Sequence, residues 1–180
     1  MIYKYKELKK KYKSDYQIKK AISDKKIYKL DDGIYSDKKN NHYLEVFTVK
    51  YPGAVLSGDT AYYYHNLTDV IPFKICFTTK RNCNRCDKKK YSQSFREDKY
   101  YELGKTTMNY EGVKVNIYDK EKMLVELVKN KKNTPYDYYK EIINSYRKIK
   151  SELNINKICK YTKVYPNGEK LLEMIQDEVF

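Results

Sequence analysis

The chain has 180 residues and carries 38 Lys and Arg against 24 Asp and Glu, a formal net charge of +14 at neutral pH. That length fits one domain or two small ones, and a hydrophobic content of 41% is enough for a core. No apolar run reaches the about 18 residues of a membrane-spanning helix, and the opening MIYKYKELKK lacks the apolar stretch of an export signal. The chain is therefore expected in the cytoplasm, with its four cysteines reduced.

The distribution of charge says more than the total. Residues 1–30 hold eleven Lys against Glu7, Asp15 and Asp24, residues 80–90 hold six basic groups against Asp87, and the rest of the chain is close to neutral. A codon bias toward lysine would scatter the charge evenly. Two concentrated patches point to a polyanion.

Residues 3–11 predict a short helix with Tyr5, Leu8 and Tyr12 on one side. Ser14 is an N-cap for a second helix reaching about Ser23, whose Ile18, Ala21 and Ile22 fall at inward-facing i, i+3, i+4 positions. Tyr16, Gln17, Lys19, Lys20 and Ser23 are left facing outward. Residues 27–30 and 34–36 then predict a hairpin about Asp31-Asp32-Gly33, with Gly33 suited to a positive φ. Helix, turn, helix, hairpin over residues 1–36 is the order of a minimal winged helix-turn-helix, whose second helix enters the major groove. DNA contact is expected from Tyr16, Gln17, Lys19, Lys20 and Ser23, with Lys26 and Lys29 meeting phosphates near the wing.

Residues 37–180 predict a mixed sheet-and-helix body of the α+β class, with strands over about 43–118 and helices over about 119–178. After the polar linker 37–41 and an apolar segment 43–49, Pro52-Gly53 is a turn and Ala54-Val55-Leu56 a short apolar run. Ser57 then stands at a helix N-cap, Asp59 meets the dipole in the first turn, and Asn66 is the stop. Residues 74–79 and 91–95 alternate as strands about the basic loop Lys80, Arg81, Arg85, Lys88, Lys89, Lys90, a second set of phosphate contacts. Glu111-Gly112 is a hairpin turn. From there on, caps at Asp119 and Asn154, Pro135 at a first helical position and a break at Pro166-Asn167-Gly168 delimit four helices.

The segment 51–72, YPGAVLSGDTAYYYHNLTDVIP, closely resembles the hallmark of the AbiEi family, bacterial antitoxins of type IV toxin–antitoxin (abortive infection) systems. Asp32-Gly33-Ile34-Tyr35 is similar to the end of that family's wing. The run 112–126, GVKVNIYDKEKMLVE, is similar to its strand, Tyr-Asp, x-Glu, apolar helix, acidic pattern, and residues 136–172 look like its helical tail. Where the family carries Arg-Thr and a closing Asp, this chain has Lys122-Met123 and Glu126. Family members place a further helix ahead of the winged pair, so the winged domain here is expected to be minimal. The resemblance implies a non-enzymatic repressor that binds inverted repeats in its own promoter, with two copies or two winged-helix units on the site. It also implies an antagonist of a co-encoded nucleotidyltransferase toxin, with no stable complex and no cofactor.

Competing chemistry has weaker support. Cys83-Asn84-Arg85-Cys86 has zinc-knuckle spacing, but a second pair is missing, so zinc would need Cys76, Cys83, Cys86 and Cys159 to converge. Asp119, Glu121, Lys122 and Glu126 suit a metal-dependent nuclease on paper, although capping and surface charge explain them too. Ser57, Asp59, His65 and Asp69 lack hydrolase spacing. The alternatives left open are a stand-alone winged-helix regulator and that nuclease.

Overall fold

Ile2–Lys4 is extended in the computed structural model, which describes residues 1–180, and forms strand β1. Helix α1 (Tyr5–Tyr12), helix α2 (Asp15–Ser23), strand β2 (Tyr28–Asp31) and strand β3 (Ile34–Ser36) follow. The helix predicted over 3–11 therefore starts later. Ile2, Tyr3 and Lys4 pair antiparallel with Ser36, Tyr35 and Ile34, placing β3 between β1 and β2. Lys4 is also the N-cap of α1, and its backbone N–H donates to Glu7 Oε2 at 2.7 Å. Strand pairing up to that cap, which periodicity does not reveal, sets the boundary.

The junction between α1 and α2 is tight. Lys13 takes φ +61, a left-handed C-cap more usual for glycine, and the Ser14 side chain accepts the Gln17 N–H at 3.2 Å as expected of a cap. Tyr5 Oη donates to Asp15 at 2.5 Å, tying the start of one helix to the start of the other. Leu8, Ile18, Ala21 and Ile27 are buried together, flanked by the half-buried Tyr3, Tyr12, Ile22 and Tyr35. The hairpin turns at Gly33 with φ +72.

Residues 43–49, read as the first strand of the body, form helix α3 (Tyr43–Lys50) instead. Its aromatic and β-branched content suits a strand. Burial of Leu44 and Phe47, three apart, decides for a helix, and His42 Nδ1 accepts the Leu44 N–H at 3.3 Å to cap it. The chain divides by contacts into two units, Met1–Ala54 with Asn109–Val115, and Val55–Met108 with Asn116–Phe180. Within the first unit His42 Nε2 lies 3.2 Å from Glu111 Oε2, and its ring meets that of Tyr110 at 5.9 Å.

The second unit opens on β4 (Val55–Leu56), both residues fully buried, and helix α4 (Gly58–Tyr64). Strands β5 (Ile75–Lys80) and β6 (Tyr91–Arg96), a short helix α5 (Asp98–Tyr101), and strands β7 (Lys105–Tyr110) and β8 (Val113–Tyr118) follow; the five strands form a sheet in the order β6-β5-β4-β8-β7, the hairpin end Asn109–Val115 being counted with the first unit. Glu111 and Gly112 take φ +48 and +82, the paired positive values of a two-residue hairpin turn. The two-residue β4 joins the sheet's halves, antiparallel to β5 and parallel to β8 through Leu56 and Ile117.

Strands β5 and β6 are parallel, in register from Ile75 with Tyr91 to Lys80 with Arg96. The loop over 81–90 must therefore run back along the pair. Gln93 pins it, donating to Thr79 Oγ1 at 2.9 Å and Asn84 O at 3.0 Å while accepting the Cys86 N–H at 2.8 Å.

Helices α6 (Lys120–Lys129), α7 (Tyr136–Lys148), α8 (Ile155–Thr162) and α9 (Gly168–Val179) close the chain. Asp119 and Asn154 cap as expected, accepting the N–H groups of Lys122 at 2.9 Å and Lys157 at 3.1 Å. Pro135, predicted as the first helical residue, is instead the N-cap of α7, which starts at Tyr136. The inward stripe of Tyr139, Ile142, Ile143 and Tyr146 is buried. None of these helices is long and apolar enough to cross a membrane.

His65, just past α4, places Nε2 2.7 Å from the Tyr118 carbonyl. A carbonyl only accepts, so Nε2 carries the hydrogen. Burial lowers the His65 pKa from its ordinary 6.5, outweighing the bond to Tyr118, which raises it. Below 6.5 the unfolded chain thus takes up the proton before the folded one, and stability falls as the pH drops toward the folded pKa. His65→Gln should flatten that part of the stability profile, measured by urea titration across the pH series.

A basic helical face and a polar cavity

In the first unit the inward stripe of α2 is consumed by the core, so its opposite face is set by default. Tyr16 is 75% exposed, and Gln17, Lys19, Lys20 and Ser23 are exposed beside it. Lys19 and Lys20 make no ion pair. Lys26 lies 3.8 Å from Asp24 and Lys29 3.0 Å from Asp32, both as exposed pairs. Such pairs contribute little, so either lysine exchanges its carboxylate for a phosphate at small cost. All seven residues are accessible, on one helix and the hairpin after it.

The basic loop of the second unit is less uniform than its sequence suggests. Lys80 is held by Asp98 at 3.3 Å and Glu102 at 3.2 Å, and Arg81 by Glu97 at 3.0 Å, all around α5. Arg85, Lys88 and Lys89 are exposed and make no ion pair, and Lys90 is exposed. The acidic residues in and capping α5 were the overlooked signal: Glu97, Asp98 and Glu102 come just after the strand β6 that follows the patch.

Cys83 is exposed and Cys76, Cys86 and Cys159 half-buried, all as free thiols. They do not gather into a set of three ligands that could hold a metal, nor do Asp119, Glu121 and Glu126. Those acids serve separate tasks. Asp119 Oδ2 accepts from Tyr161 at 2.8 Å and Lys157 at 3.1 Å, and Glu121 Oε1 accepts the Asn154 N–H at 2.9 Å, so both bind α8 to the start of α6.

Glu126 and Lys122 form a separate group. Lys122 is 1% exposed and places Nζ 3.0 Å from Glu126 Oε1 and against the Tyr165 hydroxyl. Glu126 also accepts from Tyr165 at 2.6 Å and Asn130 at 3.3 Å. Burial raises the Glu126 pKa, but Lys122, the Tyr165 hydrogen bond and Arg96 outweigh it and hold the carboxyl below its ordinary 4.5. Burial likewise lowers the Lys122 pKa, with Glu126 opposing.

This ion pair borders a cavity of about 230 Å³ between the β5/β6 face, the start of α4 and α6. Register pairs Cys76 with Ser92 and Thr78 with Ser94, one step below Lys80 with Arg96. Ser57 does stand at the N-cap of α4, but its side chain caps nothing; it accepts instead from Thr78 Oγ1 at 2.9 Å. Thr78 is in turn 2.8 Å from Ser94 Oγ. Asp59, Tyr62 and Glu126 add to the wall, so segments 51–72 and 112–126, which carry the resemblance, share this cavity. Sequence reading missed it. The signal available was the alternation Cys-x-Thr on β5 and Ser-x-Ser-x-Arg on β6, where a helix-covered face calls for branched apolar residues.

No protein-family model matches this chain, and comparison with curated proteins finds no match either.

Proposed function

We propose that this chain is a DNA-binding antitoxin of the AbiEi kind, which represses its own operon at promoter inverted repeats and counteracts a co-encoded nucleotidyltransferase toxin. The observation that carries the DNA-binding part is the outward face of α2: an exposed aromatic, an amide, two unpaired lysines and a serine on a helix fixed by its buried stripe. In this reading residues 1–36 are a minimal winged helix-turn-helix. The strand order β1-β3-β2, with two helices between β1 and the hairpin, supports it. Gln17 and Ser23 read base edges from the major groove, Tyr16 packs beside them, and Lys19, Lys20, Lys26 and Lys29 take phosphates.

Arg85, Lys88 and Lys89 of the loop supply further phosphate contacts with charge and reach alone, and Lys90 joins them. Lys80 and Arg81 do so only by releasing their α5 carboxylates. The antitoxin part rests on the resemblance of segments 51–72 and 112–126.

The test is a binding titration of the full chain on its own upstream region and on random duplex at physiological ionic strength. The expected result is a preference of at least about a thousandfold for the upstream region, the lower bound of specific recognition. Equal affinity for both overturns the repressor reading.

A further inference from the structure

We infer that the cavity of the second unit is a binding site for a small molecule bearing one oxyanion, a phosphate monoester or a carboxylate, gripped by Arg96 and the one spare hydroxyl hydrogen of the Ser57, Thr78 and Ser94 chain. This goes beyond the DNA-binding reading and does not depend on it.

Packing gives the first reason. A sheet face covered by helices is normally filled with branched apolar side chains at the density of an organic crystal. Here the two cross-strand pairs on this face are Cys76 with Ser92 and Thr78 with Ser94, of which Ser92 is exposed, and a space of about 230 Å³ remains above them. Valine or isoleucine at those positions would close it. A space of this size suits an oxyanion on a few carbon atoms.

Hydrogen-bond capacity gives the second. Ser57, Thr78 and Ser94 form a chain of three hydroxyls joined by two bonds, of 2.9 and 2.8 Å. Thr78 donates to Ser57, so Ser94 donates to Thr78, and the Ser57 hydrogen is left for a further acceptor. At that end the Ser57 oxygen has no capping duty.

Charge gives the third. Arg96 donates from Nη1 to its neighbour's carbonyl, Phe95 O, at 3.3 Å, and its Nη2 is 3.9 Å from Glu126, beyond hydrogen-bonding reach. Glu126 already has Lys122, Tyr165 and Asn130 as partners. Lys122 is the nearer cation to Glu126, so the guanidinium, which attracts that carboxylate only from 3.9 Å, still has N–H donors for a carboxylate or phosphate. Asp59 on the same wall is exposed and repels accumulated negative charge, which disfavours a polyphosphate relative to a single carboxylate or phosphate group.

Calorimetric titration of the full chain with glycerol 3-phosphate, glycerate, inorganic phosphate and glycerol tests this. One of the two organic oxyanions is expected to bind at one per chain, and which one does so identifies the anion. Glycerol should give no signal, and inorganic phosphate a weaker one. Arg96→Gln should weaken the binding at least tenfold. Ser94→Val, which narrows the space and removes the Thr78 partner without touching a charge, should stay folded yet weaken ligand binding. Lys19→Ala with Lys20→Ala should leave it unchanged, which separates this site from binding to surface lysines. Absence of binding by both organic oxyanions, or an Arg96→Gln or Ser94→Val protein that binds as the parent does, overturns the inference.

Discussion

Replacing Lys19 and Lys20 together by alanine is expected to lower affinity for the upstream DNA and flatten its salt dependence by roughly two units of log K against log salt. Each lysine that neutralises a phosphate releases condensed counterions on binding, contributing about 0.9 to that slope. The pair is suited to this test because neither lysine is engaged elsewhere and neither supports the fold. Both are exposed, while the residues that hold α2 in place are Ile18 and Ala21. The variant should therefore melt with the parent, and rescue of cells from the toxin, if carried by the body, should survive. An unchanged slope removes α2 from the DNA interface. Loss of rescue together with operator binding would reduce the protein to a repressor.

Lys122→Ala is expected to have the largest effect on stability, a loss of about 3–5 kcal/mol by urea unfolding. Its side chain is 1% exposed and that of Glu126 only 14%, so removal of the ammonium leaves a buried carboxylate without its nearest cation. The change should also appear in the acid limb. In the parent, Glu126 titrates below its ordinary 4.5, so the stability it contributes is present above that value and lost as the pH falls through its folded pKa. Without Lys122 the balance tips toward burial, the folded pKa rises, and this source of acid sensitivity shrinks or reverses. Lys122→Met combined with Glu126→Gln should recover much of the loss, because a neutral pair of similar volume avoids the unpaired charge. A Lys122→Ala protein as stable as the parent would mean that the carboxylate finds water there.

Legibility followed the range of the forces involved. The caps at Ser14, Asp119 and Asn154, the turns at Gly33 and Gly112 and the buried stripe of α2 depend on neighbours a few residues apart, and all are readable. What failed depends on distant partners. β1 exists because β3 offers an edge some thirty residues on. α3 carries strand-forming residues but is decided by burial of Leu44 and Phe47. The central β4 is two residues long, too short for any periodicity to register. Ser57 looks like a cap in sequence and occupies the right position, yet Thr78, 21 residues away, takes its hydroxyl. Of the two basic patches, the free face of α2 followed from its inward stripe, whereas the neutralisation of Lys80 and Arg81 by α5 did not.

The first compact unit takes in Asn109–Val115 as well as the chain up to Ala54. A ribosome must make 54 further residues before that last piece exists. At ordinary elongation rates this is a delay on the order of 3–10 s. Throughout that interval His42 waits for Glu111 and Tyr110. Truncating the gene after residue 36 or residue 54 would therefore yield an unfinished fragment, and its failure to bind DNA would say nothing about the intact protein.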